Sequence, residues 1–124
     1  MKKQLFILLV LIISSCIGQE KEPVQKLNFT EFKTAVIGKD VQLVDLRTPK
    51  EYEEGYIDDA INVDFLQKDS FETNILKFDK NLPIYIYCQA GGRSKRAAAQ
   101  LKEIGFKEIY DFSGGYKQWS NKQD

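Results

Sequence analysis

The chain of 124 residues contains no histidine and only two cysteines, and its 18 basic side chains match 18 acidic ones. Each shortage excludes something. Without histidine, cysteine–histidine acyl-transfer chemistry has no base. Without a net charge, no global field recruits nucleic acid, so no nucleic-acid partner is expected. The longest uninterrupted apolar run, Leu5 to Ile13, is too short for a bilayer, which a helix crosses in about 20 residues. What remains is ordinary: 43% apolar and 29% charged residues suit one soluble globular domain, with no room for a second core.

The apolar run has a different use. Lys2 and Lys3 precede it and small residues follow, the pattern of an export signal. Ile13-Ser14-Ser15-Cys16 resembles the lipobox of bacterial lipoproteins, in which the cysteine is lipidated and becomes the new N-terminus. That resemblance implies a leader over 1–15, a lipidated Cys16 with a polar tether over 16–26, and a membrane partner through the lipid anchor. It also implies an exported, cell-envelope location. Cys88 is then the one free thiol in an oxidising compartment, which asks for a chemical explanation.

From Leu27 to about residue 121 the punctuation is regular. Asn28-Phe-Thr-Glu31 and Thr48-Pro-Lys-Glu51 have the form of capping boxes opening helices that Gly38 and Gly55 can stop. Short β-prone runs at Val41–Leu46, Ala60–Val63, Leu82–Tyr87 and Glu108–Phe112 predict strands. Between them lie helices expected over Phe71–Phe78 and Ser94–Ile104, and Gly114-Gly115 leads into a short last helix with Trp119. Strands alternating with helices predict an α/β fold around a mostly parallel sheet. Ligands in such sheets sit beyond the carboxyl ends of strands, where Cys88 falls.

Around Cys88 the residues favour an anion. A strand ends at Tyr87, a loop runs from Cys88 through Gln89, Ala90, Gly91 and Gly92 to Arg93, and a helix is expected from Ser94. The first amides of a helix have no intrahelical acceptor, and its dipole adds partial positive charge at that end. The two glycines let the backbone curl so that N–H groups face inward. A cysteine sulfur at the centre is suited to the thiolate form. Arg93 adds attraction for an anionic donor, while Lys95 and Arg96 fit a solvated helix face. A buried, inert Cys88 that merely finishes a strand is the plainer alternative.

Three segments together resemble the rhodanese family. Asp45-Leu-Arg47-Thr-Pro-Lys-Glu51 with Gly55-Tyr56-Ile57 and Asn62-Val63 is similar to its first signature. Cys88-Gln-Ala-Gly-Gly-Arg93-Ser94 is similar to its active-site loop, and Phe112-Ser-Gly-Gly115-Tyr-Lys-Gln-Trp119 to its C-terminal signature. The resemblance implies a single rhodanese-like domain with a five-stranded, mostly parallel sheet flanked by helices, and neither metal nor organic cofactor. It implies that Cys88 takes a sulfane sulfur from a donor such as thiosulfate or a persulfide. Cys88 then passes that sulfur to cyanide or a thiol acceptor. Asp45 and Arg47 are implied as supports of the site.

The family commonly has histidine where this chain has Tyr56, a departure that touches local packing rather than sulfur transfer. Two rivals stand beside this reading. A phosphatase or arsenate reductase of the same fold needs one residue more between cysteine and arginine than the four found here. A non-catalytic binding or redox-sensing module typically lacks the cysteine, which this chain keeps.

Overall fold

Five short strands and five helices alternate along the chain in a computed structural model that describes Gly18 and residues 20–122. The strands are β1 (Val24–Leu27), β2 (Gln42–Asp45), β3 (Ile61–Asn62), β4 (Ile84–Tyr87) and β5 (Ile109–Phe112). They form one sheet in the order β1-β5-β4-β2-β3, and every neighbouring pair runs parallel. The expected α/β architecture with five strands is therefore present. β4 lies at the centre, so its carboxyl end, which holds Cys88, is flanked by the ends of β2 and β5.

Helices cover both faces. On one side α3 (Lys68–Ile75) and α4 (Gly92–Ile104) place Phe71, Ile75, Ala97 and Leu101 against Val44, Ile84 and Ile86 of the sheet. On the other, α1 (Phe29–Val36) and α5 (Gly115–Asn121) bring Phe32, Val36 and Trp119 onto Leu43, Tyr87 and Phe112. Phe32 stacks on Phe112 at 4.4 Å between ring centroids. Full burial of side chains of this size contributes about 1.5–3 kcal/mol each. Both faces of the central strands are apolar for this reason, which is why Leu82–Tyr87 reads as a continuous run.

Both capping boxes form as their sequences predict. Asn28 accepts from the Glu31 amide at 2.9 Å, and Thr48 accepts from the Glu51 amide at 3.3 Å to open α2 (Pro49–Glu53). Three boundaries differ from expectation. Val24–Lys26, assigned to the tether, belong to β1, which pairs with β5 from Val24↔Ile109 to Leu27↔Phe112. β1 is an edge strand whose polar Gln25 and Lys26 hide its two apolar anchors, Val24 and Leu27, which pack on opposite faces. α3 begins at Lys68 rather than Phe71, without a side-chain cap to mark its start. α4 begins at Gly92 rather than Ser94, which carries Arg93 and Ser94 into its first turn. None of the described helices is long and apolar enough to cross a membrane. The expected leader and Cys16 lie outside the described residues.

Candidate active site at the end of strand β4

Gly91 is the N-cap of α4, so Gly92, Arg93 and Ser94 are its first three residues. Their amides lack acceptors within the helix. At α1 and α2 a side-chain oxygen of Asn28 or Thr48 receives the third of these amides. At α4, where Gly91 has no side chain to offer, Cys88 Sγ fills that place. It accepts from the Ser94 amide at 3.3 Å and from the Gly91 amide at 3.1 Å. The sulfur thus caps the longest helix of the domain, in the position where the dipole favours negative charge.

The curl of the loop has an identifiable cause. Gly91 adopts φ +96°, a left-handed conformation that glycine reaches without steric cost, and a Cβ there would collide with the Ser113 carbonyl. The loop carbonyls are taken up from behind by the start of α5. Tyr116 donates its amide to Cys88 O at 2.8 Å, and Lys117 donates its amide to Gln89 O at 3.0 Å. Gly115, at φ +66°, permits this approach, since a Cβ on it would lie 2.7 Å from Cys88 O. With the carbonyls held outward against α5, amides are left facing the sulfur. The segment around Gly115 therefore shapes the Cys88 loop by contact.

Asp45 and Arg47 do not touch the sulfur; they brace its surroundings. Both are essentially unexposed. Asp45 receives the Arg47 Nη2 at 2.8 Å and Nε at 3.1 Å, and the Tyr87 hydroxyl donates to it at 2.6 Å. Arg47 also donates to Gly55 O at 2.5 Å and to Gln89 Oε1 at 3.3 Å, while its guanidinium lies 4.0 Å from the Tyr116 ring centroid. One guanidinium so joins β2, the end of α2, the Cys88 loop and α5. Burial opposes its charge, but the hydrogen bond and attraction of Asp45 outweigh that and raise its pKa. Burial, then the Asp45 charge, pushes the Tyr87 phenol far above its usual range, which keeps it a neutral donor. Asn62 completes the brace by donating to the carbonyls of Asp45 and Arg47.

Arg93 makes a bidentate pair with Glu51, at 2.7 and 3.0 Å. The pair ties the first turn of α4 to α2. Both groups stay partly exposed, at 18% and 30% of the side chain. Hydrogen bonding to Arg93 leads the effects that hold the Glu51 carboxyl down at about 2. Glu51 therefore stabilises the fold fully above its ordinary value of 4.5, and this contribution disappears as pH falls toward 2. Denaturant midpoints measured across that acid range are expected to fall more steeply for the wild type than for Glu51→Gln. Parallel curves would mean that the pair does not survive in solution.

Of the other expected loop residues, Ala90 is exposed and Gln89 serves the brace through Arg47. The Ser94 hydroxyl donates back to Gly91 O at 3.3 Å. Tyr56 is half exposed and stacks on Tyr52 at 4.2 Å. Three contributors were not singled out from sequence: Tyr87, the Gly115–Lys117 backbone and Asp111. Asp111 is buried on β5, one of its carboxyl oxygens has no partner, and burial raises its pKa against the opposing influence of Ser94 and Lys26.

A family model described as the rhodanese-like domain matches residues 28–122. The chain belongs to the rhodanese-like domain family. It is 36% identical over 114 residues to the uncharacterised protein YqhL of Bacillus subtilis, covering 92% of this chain and 86% of that one. It is 33% identical over 81 residues to the thiosulfate sulfurtransferase GlpE of Coxiella burnetii, covering 65% of this chain and 73% of that one. The crystal structure of a rhodanese-like domain protein from Staphylococcus aureus superposes with a TM-score of 0.67 at 31% identity, over 77% of this chain and 90% of the other. Membership points to sulfurtransferase chemistry at the level of the family.

Proposed function

We propose that this protein is a sulfurtransferase that carries a sulfane sulfur as a persulfide on Cys88. The single observation behind this is the Cys88 sulfur held by the Gly91 and Ser94 amides at the start of α4. A cysteine that merely finished a strand would not need its sulfur ringed by loop amides. The Cys88 thiolate attacks the outer sulfur of thiosulfate, the S–S bond breaks, and sulfite leaves with the bonding electron pair. Cyanide or a thiolate then attacks the terminal sulfur of the persulfide, and the electron pair returns to Cys88 as thiolate. The attacking thiolate and the persulfide it becomes are both anions, so one set of N–H groups suits both. From the thiolate onward the two transfers involve no proton, which fits a chain without histidine. Steady production of thiocyanate and sulfite from thiosulfate and cyanide tests the reading. No turnover above the uncatalysed rate, with folded protein, overturns it.

Arg93 borders the site as a cation whose charge is largely met by Glu51. Arg93→Ala is expected to lower kcat/KM for thiosulfate about fivefold, the scale of one partly exposed charge contact, with only the modest fall in melting temperature that loss of the Glu51 pair brings. Unchanged kinetics with a much lower melting temperature would make its role purely structural.

We also propose that Cys16 is lipidated and that the domain works anchored to a membrane of the cell envelope. The support is the Ile13–Cys16 pattern behind a basic, apolar leader. Each buried acyl methylene contributes about 0.8 kcal/mol, so two or more chains hold a protein of this size firmly. Wild type is expected in the membrane fraction and Cys16→Ala in the soluble fraction. Equal distribution of the two overturns the anchor.

A further inference from the structure

Beside the sulfur, on the same edge of the sheet, the segment between β3 and α3 crosses over the end of β2. Val63 donates to Asp45 O at 2.9 Å and Phe65 donates to Leu46 O at 3.2 Å. Phe65 packs against the cluster that contains Cys88, Val63 and Ala97. Between this segment and α4 lies a cavity of about 260 Å³, lined by Phe65, Leu66, Lys68, Phe71, Arg96 and Gln100. Its base is aromatic, with Phe65 and Phe71 edge to face at 5.0 Å. Leu66 stands at its rim, 51% exposed, although nothing in the fold requires a leucine there. Arg96 lies 5.4 Å from the Phe65 ring centroid, one helical turn beyond Arg93. Neither Arg96 nor Lys68 takes part in an ion pair among the described residues, and no carboxylate lines the cavity. Asp64 receives the Leu66 amide and adds to the field at Arg93, Asp69 follows Lys68 in the first turn of α3, and Glu72 lines the neighbouring hollow on the far side of Gln100.

We infer that this groove binds the tail of the sulfur acceptor, and that the acceptor is a small thiol bearing an apolar group and a terminal carboxylate. The inference rests on the sulfur-transfer reading and names the acceptor class for that same site. Thiosulfate and cyanide are too small and too polar to use an aromatic cavity of this size. A thiol that reaches the persulfide across Arg93 lays its next few atoms over Phe65 and Leu66. A carboxylate at that distance meets two unneutralised cations and the Gln100 amide. Ligand sites of this kind are mostly apolar with a few fixed polar groups, which is the composition seen here. Phe65 and Arg96 together therefore select the tail, while Cys88 performs the chemistry.

A matched pair of probes tests this: N-acetyl-cysteinyl-leucine with a free carboxylate, and its C-terminal amide. The two share a thiol and an apolar side chain and differ in one charge. With Cys88 loaded from thiosulfate, the acid is expected to discharge the persulfide about fivefold faster than the amide, the scale of one partly exposed ion pair. Arg96→Ala should abolish that preference. Arg96→Glu should reverse it. Equal rates for acid and amide on the wild type overturn the groove while leaving sulfur transfer intact. Binding of the S-methylated acid, followed by NMR at the Phe65 and Arg96 signals, reads the groove without any chemistry. Binding there without persulfide formation would sink the enzymatic reading alone, and the absence of such binding counts against the groove.

Discussion

Cys88→Ser is expected to reduce thiosulfate-dependent turnover to background while the domain stays folded. Serine is close in shape, and its oxygen can accept from the same two amides that now reach Sγ, at Gly91 and Ser94. The helix cap therefore persists in weaker or equal form, a change of about 1 kcal/mol at most. What disappears is the only nucleophile in the described domain able to form an S–S bond, since Cys88 is its one free cysteine. A hydroxyl at neutral pH has neither the charge nor the affinity for sulfur, and no histidine stands by to activate it. Folding is followed by circular dichroism and turnover by thiocyanate release. Residual activity of more than a few per cent in a folded variant would place the chemistry elsewhere.

Arg47→Ala is expected to cost about 3–5 kcal/mol of stability, the scale for removing one partner of a buried ion pair. The reason is what stays behind. Buried Asp45 would be left with the Tyr87 hydroxyl and the residue 47 amide as its remaining donors, and the Gly55 carbonyl would lose the Arg47 Nη2. For a domain of marginal stability this is a large share of the total. Asp45→Asn combined with Arg47→Met should cost less than Arg47→Ala alone, because neither variant residue leaves a buried charge. Urea midpoints at neutral pH give both numbers. A loss below about 1 kcal/mol for Arg47→Ala would mean that water replaces the guanidinium, and that Arg47 does not bind β2, the loop and α5 into one unit.

How much of this was legible in the residues depends on the range of the interactions. The capping boxes at Asn28 and Thr48 are local and formed as read. β4 was visible because burial on both faces demands continuous apolar residues, and β5 because Ile109, Tyr110 and Phe112 are β-prone around Asp111. β1 was not visible: at the sheet edge only Val24 and Leu27 need to be apolar, and the polar pair between them resembles linker. The loop glycines and the nucleophile stood out together, since a left-handed Gly91 and a sulfur at a helix start are adjacent in sequence. The partner of Arg93 did not stand out, because Glu51 is 42 positions away and already had a local role in a capping box. Separation along the chain likewise hid the part played by Gly115, whose missing Cβ matters only once α5 meets the Cys88 carbonyl.

The persulfide itself is the claim on which the rest depends, and the intact mass of the purified protein reads it directly. After exposure to thiosulfate and removal of the excess, the protein is expected to gain the mass of one sulfur atom. That gain should map to the peptide containing Cys88 and vanish on adding cyanide or a thiol. A folded protein whose mass does not change, or whose added sulfur lies on any other residue, contradicts the account.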